Sequence, residues 1–189
     1  MNDDFARLLR AVGALREGHF LLTSGLHSAR YFEKFRILER PELCERFARP
    51  IGERFQRAGV TVVCGPTTGG VIVAYEVARQ MGCRCVIAEK SEAGRKIGRG
   101  FSVAGSDRVL IVDDVLTTGG SIKETFGALE STGAQIVGVG VFIDRSFGVN
   151  FPVPFFATYR EQVINYQPDN CPLCQAGVPL ESPGRSGKG

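Results

Sequence analysis

From residue 60 onward, short aliphatic runs alternate with stretches whose apolar residues recur at helical spacing. VTVVCG (60–65), RCVIAEK (84–90), RVLIVDD (108–114) and AQIVGVGVFIDR (134–145) are rich in Val and Ile and nearly free of alternation. Strands buried on both faces read this way. Between them, GGVIVAYEVARQMG (69–82) and GSIKETFGALESTG (120–133) carry helical patterns, the first closed by Gly82. Strand and helix in alternation predict an α/β fold, a parallel sheet flanked by helices. SEAGRKIGRGF (91–101) is polar and glycine-rich without a core-facing pattern, so a mobile loop is expected there. FPVPFFATYREQVINY (151–166) reads as a late edge strand.

The first part of the chain is patterned differently. Phe5, Leu8, Leu9, Val12 and Leu15 fall at helical spacing, with Asn2 or Asp3 able to cap the start and Gly18 placed to end it. HFLLTSG (19–25) and ARYFEKFRIL (29–38) follow as two expected strands around a turn at Ser24-Gly25. Pro41 opens a second helix, in which Leu43, Phe47, Ile51 and Phe55 share one face, and Gly59 ends it. The expectation is a single domain over 1–189. A small hood subdomain is drawn from about 1–40 and part of 150–181, and a disordered tail covers 182–189.

Composition narrows the function classes. A net charge of +3, with basic residues dispersed apart from GRKIGRG (94–100), gives no nucleic-acid face. No apolar run reaches the ~20 residues of a membrane span. The opening MNDDFARLLR has acids and no apolar core, unlike a signal peptide, so a cytoplasmic location is expected. Cys44, Cys64, Cys83 and Cys85 lie in apolar or strand-like surroundings and read as small buried hydrophobes. Cys171 and Cys174 form the single CxxC. A second pair would be needed to complete a four-ligand metal site in one chain, so a structural turn is favoured over the alternative, a zinc site shared between subunits. His19 and His27 are given no role.

The chemistry concentrates in VLIVDDVLTTGGS (109–121). Ligands of open α/β sheets bind beyond the carboxyl ends of the strands, where Asp113 and Asp114 emerge. Free amides at the following helix start, with the hydroxyls of Thr117, Thr118 and Ser121, suit a phosphate monoester. Gly119 and Gly120 let the backbone approach its oxygens. The acids repel phosphate but accept hydrogen bonds from sugar hydroxyls and attract a hydrated Mg²⁺. A phosphorylated sugar with free hydroxyls satisfies both halves. No Gly-Lys-Ser/Thr follows, so this is not a Walker loop.

The strand, the two acids and the Thr-Thr-Gly-Gly-Ser turn resemble the 5-phosphoribosyl-1-diphosphate (PRPP) signature of type I phosphoribosyltransferases. The resemblance implies that fold, with Asp113 and Asp114 on the ribose hydroxyls, Thr117, Thr118, Gly119, Gly120 and Ser121 around the 5-phosphate, and Val115, Leu116 and Lys90 also among the PRPP-binding residues. GPTTGGVIVAYEVARQMG (65–82) is similar to the family's diphosphate turn and helix. Residues 20–38 and VFIDRSFG (141–148) resemble segments of orotate phosphoribosyltransferases, as does CPLCQAGVPL at the end. By that match Arg145 faces the orotate carboxylate, Tyr31 or Phe32 walls the base, and Thr117 also reaches it. Lys90 aligns with the lysine that opens the catalytic loop, and Arg95, Lys96 and Arg99 stand in for later loop cations. Better-known members carry lysine where this chain has Thr23, and another in the diphosphate turn near Gly69.

The implied reaction transfers phosphoribose from PRPP to orotate, giving orotidine 5'-monophosphate and diphosphate, with Lys90, Asp113 and Asp114 as the catalytic group. Mg²⁺ is expected as cofactor, held mainly by the diphosphate and water rather than by protein ligands. A homodimer is implied, with loop 90–100 reaching the neighbouring site. The alternatives are a purine phosphoribosyltransferase and a non-catalytic regulator that senses PRPP or nucleotides on the same fold.

Overall fold

The computed structural model describes residues 2–183. The chain divides into two compact units, one formed by residues 37–161 and the other by the two chain ends, 1–36 with 162–189. From residue 184 on, the expected tail lies outside the described residues.

The larger unit is built on six strands: β3 (Val62–Pro66), β4 (Arg84–Ser91), β5 (Gly94–Ile97), β6 (Arg108–Leu116), β7 (Gln135–Asp144) and β8 (Phe155–Arg160). Their order is β5-β4-β3-β6-β7-β8. All neighbouring pairs run parallel except β4 with β5. The parallel α/β sheet expected from the apolar runs is therefore present, with β8 as its late edge strand. Helix α3 (Pro41–Phe55) leads into β3, and α4 (Gly69–Met81) and α5 (Gly120–Glu130) fill the crossovers from β3 to β4 and from β6 to β7.

Residue size sets how closely the layers approach. In β7, Gly138 and Gly140 alternate with Val139 and Val141. A Cβ at Gly138 would stand 2.2 Å from the Phe55 ring, and one at Gly140 2.6 Å from Ile51. The glycines thus form the floor on which α3 lies, while the valines join a core with Val62, Cys64, Ile111, Ile122 and Leu129. The face of α3 anticipated from its spacing, Leu43, Phe47, Ile51 and Phe55, is buried throughout.

The smaller unit holds α1 (Asn2–Ala11) and a three-stranded antiparallel sheet, β1 (Leu15–Leu21), β2 (His27–Phe32) and β9 (Asn165–Tyr166), with β2 in the middle. Phe5, Leu9, Ala14, Leu15, Phe20, Phe32 and Val163 are its buried apolar residues. After a 3₁₀ turn (Pro168–Asn170) and the short α6 (Pro172–Gln175), the chain returns to β1. There Leu21 N–H donates to Glu181 O, and Glu181 N–H to His19 O.

Three local expectations are corrected. Helix α1 stops at Ala11, because Gly13 takes φ +71° and turns the chain; Leu15 and Gly18 belong to β1. The second hairpin strand ends at Phe32, and Phe35–Leu38 forms a helical turn, α2. The stretch 91–101, expected as a loop, contains β5, paired with β4 through Lys90↔Arg95 and Ser91↔Gly94.

Candidate functional site

Strand β6 ends at Leu116, and α5 starts at Gly120. The turn between them closes through Gly119, whose φ of +78° favours glycine. Asp113, Val115, Leu116, Thr117, Thr118, Gly119, Gly120, Ser121 and Ile122 line one small concavity. Thr117 and Thr118 are exposed there, whereas Asp113 and Asp114 are buried. Asp113 Oδ1 accepts the Asp114 amide at 2.8 Å, and Asp114 Oδ1 accepts the Val115 amide at 2.6 Å. The carboxylates are thus held in place by their own backbone. A larger cavity of about 420 Å³ lies among Arg49, Gly52, Gln56, Gln80 and Met81, where α3 and α4 end. It is at the amino ends of the strands, the wrong end for ligands of such a sheet.

A second turn meets the acids. After β3, Thr67 and Thr68 are joined by a cis peptide and lead into α4 at Gly69. A Cβ at Gly69 would lie 1.6 Å from Asp114 Oδ2, and one at Gly70 2.9 Å from Asp113 Oδ1. Any side chain begun at 69 would run into that carboxylate, so glycine lets this turn lie against the acids.

The hairpin supplies the cations. Arg95 is folded inward and buried. Its guanidinium donates to Thr67 Oγ1 (3.2 Å), Thr67 O (3.3 Å), Ala88 O (2.9 Å) and Ser121 Oγ (3.4 Å), and pairs with Glu124 at 3.3 Å. It therefore bridges the two turns, which only the folding of 91–97 as a strand makes possible. Lys90 pairs directly opposite Arg95 and is exposed. Opposed residues of an antiparallel pair point the same way, so both cations belong to one face of the hairpin. Lys96 and Arg99 are exposed, and Arg99 pairs with Glu89.

Arg145 follows β7, and its amide donates to Leu116 O at 2.9 Å, which ties it to the end of β6 beside the turn. In the smaller unit, Tyr31 is half-buried with its ring 5.7 Å from that of Phe20, and Phe32 is buried.

Burial pushes the Cys44 thiol up to about 11, Cys64 up to about 12 and Cys85 up to about 11. None is a ready thiolate nucleophile. Cys83 and Cys85 are half-buried rather than enclosed, a correction to their expected burial.

The sequence profile of the phosphoribosyl transferase domain family matches residues 36–153. The chain belongs to this family, among the orotate phosphoribosyltransferases. The chain is 44% identical over 171 residues to the orotate phosphoribosyltransferase of Caldanaerobacter subterraneus subsp. tengcongensis, with 90% of each chain covered. Its identity to that of Pelotomaculum thermopropionicum is 42% over 183 residues, with 96% of each covered. The crystal structure of orotate phosphoribosyltransferase from Aeropyrum pernix superposes with a TM-score of 0.69 at 25% identity, covering 82% of this chain and 93% of the other. Within such a phosphoribosyltransferase the 109–121 stretch is the part whose chemistry is most explicit, and Arg95, Gly69 and Gly70 join it only through folding.

Proposed function

We propose that this protein transfers the 5-phosphoribosyl group from PRPP to orotate, forming orotidine 5'-monophosphate and diphosphate, a step of pyrimidine nucleotide synthesis. The observation that carries this reading is the near full-length identity to orotate phosphoribosyltransferases, joined to a buried acid pair beside a hydroxyl-rich turn.

The turn Thr117–Ser121 binds the 5-phosphate through helix-start amides and hydroxyls. Asp113 and Asp114 accept hydrogen bonds from the ribose 2- and 3-hydroxyls and favour the positive charge that grows on the sugar. The ring nitrogen of orotate gives up its proton to solvent and forms its bond to the anomeric carbon as the bond from that carbon to the diphosphate oxygen breaks. Both electrons of the broken bond leave with diphosphate, so no protein nucleophile is required. Lys90, with Arg95 on the same hairpin face, counters the charge of the leaving group. The paired carboxylates have the hard-oxygen chemistry that suits a hydrated divalent cation. Mg²⁺, coordinated mainly by the diphosphate and water, would offset leaving-group charge. Arg145 grips the orotate carboxylate as a bidentate fork, and Tyr31 or Phe32 supplies the aromatic face for the base. The protein works in the cytoplasm as a homodimer, with hairpin 90–100 offered to the neighbouring site.

The deciding experiment supplies PRPP and Mg²⁺ with orotate, adenine, guanine or hypoxanthine and follows diphosphate release. Orotate alone is expected to react. Release with a purine would transfer the protein to another branch of the family, and silence with every base would make it a sensor.

A further inference from the structure

A second chemical centre lies entirely within the smaller unit. His27 opposes Leu21 across β1 and β2, two residues on from His19, and the two imidazoles meet with ring centroids 4.8 Å apart. The CxxC segment folds back over them. One ligand atom each from His19, His27, Cys171 and Cys174 lies within 4.8 Å of all the others. His19, His27 and Cys171 are buried. We propose that these four side chains bind one zinc ion, which fastens the C-terminal segment to the β1–β2 hairpin.

The distances fit the metal. Bonds of about 2.0–2.1 Å to nitrogen and 2.3 Å to sulfur at tetrahedral angles separate N from S by about 3.5 Å. Cys171 Sγ lies 3.5 Å from His19 Nε2, Cys174 Sγ lies 3.7 Å from the same nitrogen, and Cys174 Sγ lies 3.3 Å from His27 Nδ1. The two nitrogens are 2.9 Å apart, which a shift of a few tenths of an ångström brings to the ~3.3 Å of a tetrahedral pair.

Hydrogen bonding alone does not account for the arrangement. His19 Nδ1 lies 2.8 Å from Val178 O, which can only accept, so this nitrogen carries the proton. In the neutral ring Nε2 then has a single in-plane lone pair. Three neighbours, His27 Nδ1, Cys171 Sγ and Cys174 Sγ, converge on that one lone pair. One cation at the centre accepts a lone pair from each of the four groups at once. The Nδ1–carbonyl bond is also the usual outer partner of a metal-bound histidine, fixing its tautomer. Two thiolates and two imidazoles without a water position make a closed, structural set.

The architecture gives the ion a purpose. Past Cys171, every residue but the half-buried Leu173 and Pro183 is exposed up to the end of the described chain. The segment therefore buries little apolar surface, with Val178 and Leu180 left exposed. Small units with so limited a core commonly rely on a metal or a disulfide. This inference is independent of the transfer reaction, because none of its ligands belongs to the proposed machinery.

The test begins with metal analysis of tag-free protein purified under reducing conditions. One zinc per chain is expected, and Co²⁺ exchanged into the site should give the visible bands and thiolate charge-transfer absorption of a tetrahedral S₂N₂ centre. Cys174→Ser and His27→Ala should each lose the metal and the cobalt spectrum, while Cys83→Ser keeps both. Zinc removal from the wild-type chain should open residues 167–181 to protease, and added Zn²⁺ should restore protection. Wild-type protein that takes up no stoichiometric Zn²⁺ or Co²⁺ overturns the proposal. So does freshly prepared protein whose Cys171 and Cys174 are joined as a disulfide. In either case diphosphate release with orotate would persist, so the two readings fail separately.

Discussion

Lys90 and Arg145 occupy comparable places in the chain, each near the carboxyl end of a strand, but they meet different demands. Lys90 is exposed on the hairpin face that also carries Arg95. In the proposed reaction its charge matters when diphosphate departs. Removing one donor that stabilises developing charge costs about 10²–10³-fold in rate. Lys90→Ala should lose turnover on that order while its thermal midpoint stays at the wild-type value; steady-state kinetics beside a melting curve check both. In the proposed reaction Arg145 binds orotate already in the ground state. A hydrogen bond to a charged group contributes about 1.5–3 kcal/mol, so Arg145→Ala should weaken orotate binding roughly 10- to 150-fold. Calorimetric titration should show PRPP affinity unchanged, and an unaltered orotate affinity would remove Arg145 from the base pocket. Both residues are legible in the sequence through the family resemblance of the segments that carry them. His19 and His27 are not. Neither has a local pattern around it, and their partners lie in a segment more than a hundred residues away in the chain.

Elements with strong periodicity are legible in the sequence, and those stopped or re-paired by a distant partner are not. The buried face of α3 follows from its spacing, and its counterpart on β7 is a pair of glycines that a propensity scale would count as weak strand formers. Packing makes them the residues that fit. An alanine at 138 would bring a methyl group within 2.2 Å of the Phe55 ring. Overpacking of this kind costs about 1–3 kcal/mol. Gly138→Ala should therefore lower the urea midpoint with an unchanged slope, as read by circular dichroism. The 91–101 stretch shows the opposite case. Its composition suits a loop, yet antiparallel pairing to β4 and the bonds of Arg95 give part of it a strand conformation. Those are long-range terms, invisible to a reading of neighbours.

Across the larger unit, an acid at the end opposite the site ties the sheet together. Asp107 accepts hydrogen bonds from Arg84 at 2.6 Å, Thr61 at 3.0 Å and the Ala104 amide at 2.8 Å, joining the approaches to β3, β4 and β6. The Arg84 guanidinium, followed by the Ala104 amide, holds its carboxyl below the ordinary value of 3.8. A carboxyl depressed on folding stabilises the native state above its unfolded value and loses that contribution as pH falls through its folded one. Asp107→Asn should consequently melt below wild type at pH 7. That gap should narrow as pH drops under 3.8, where the wild-type carboxylate takes up its proton. A gap constant across that range would deny the ion pair its part.

The chain by itself determined the α/β class, the strand–helix succession, the family and the acid–hydroxyl turn, because each is written in residues close together in sequence. Buried strands must be aliphatic throughout, and the acids and hydroxyls of one short turn stand side by side in the sequence. Tertiary structure alone decided which strand neighbours which, that Arg95 spans both turns, that Gly69 and Gly70 make room for the acids, and that two histidines meet two cysteines. Such meetings depend on contacts between residues far apart along the chain, whose geometry exists only once the apolar layers have packed.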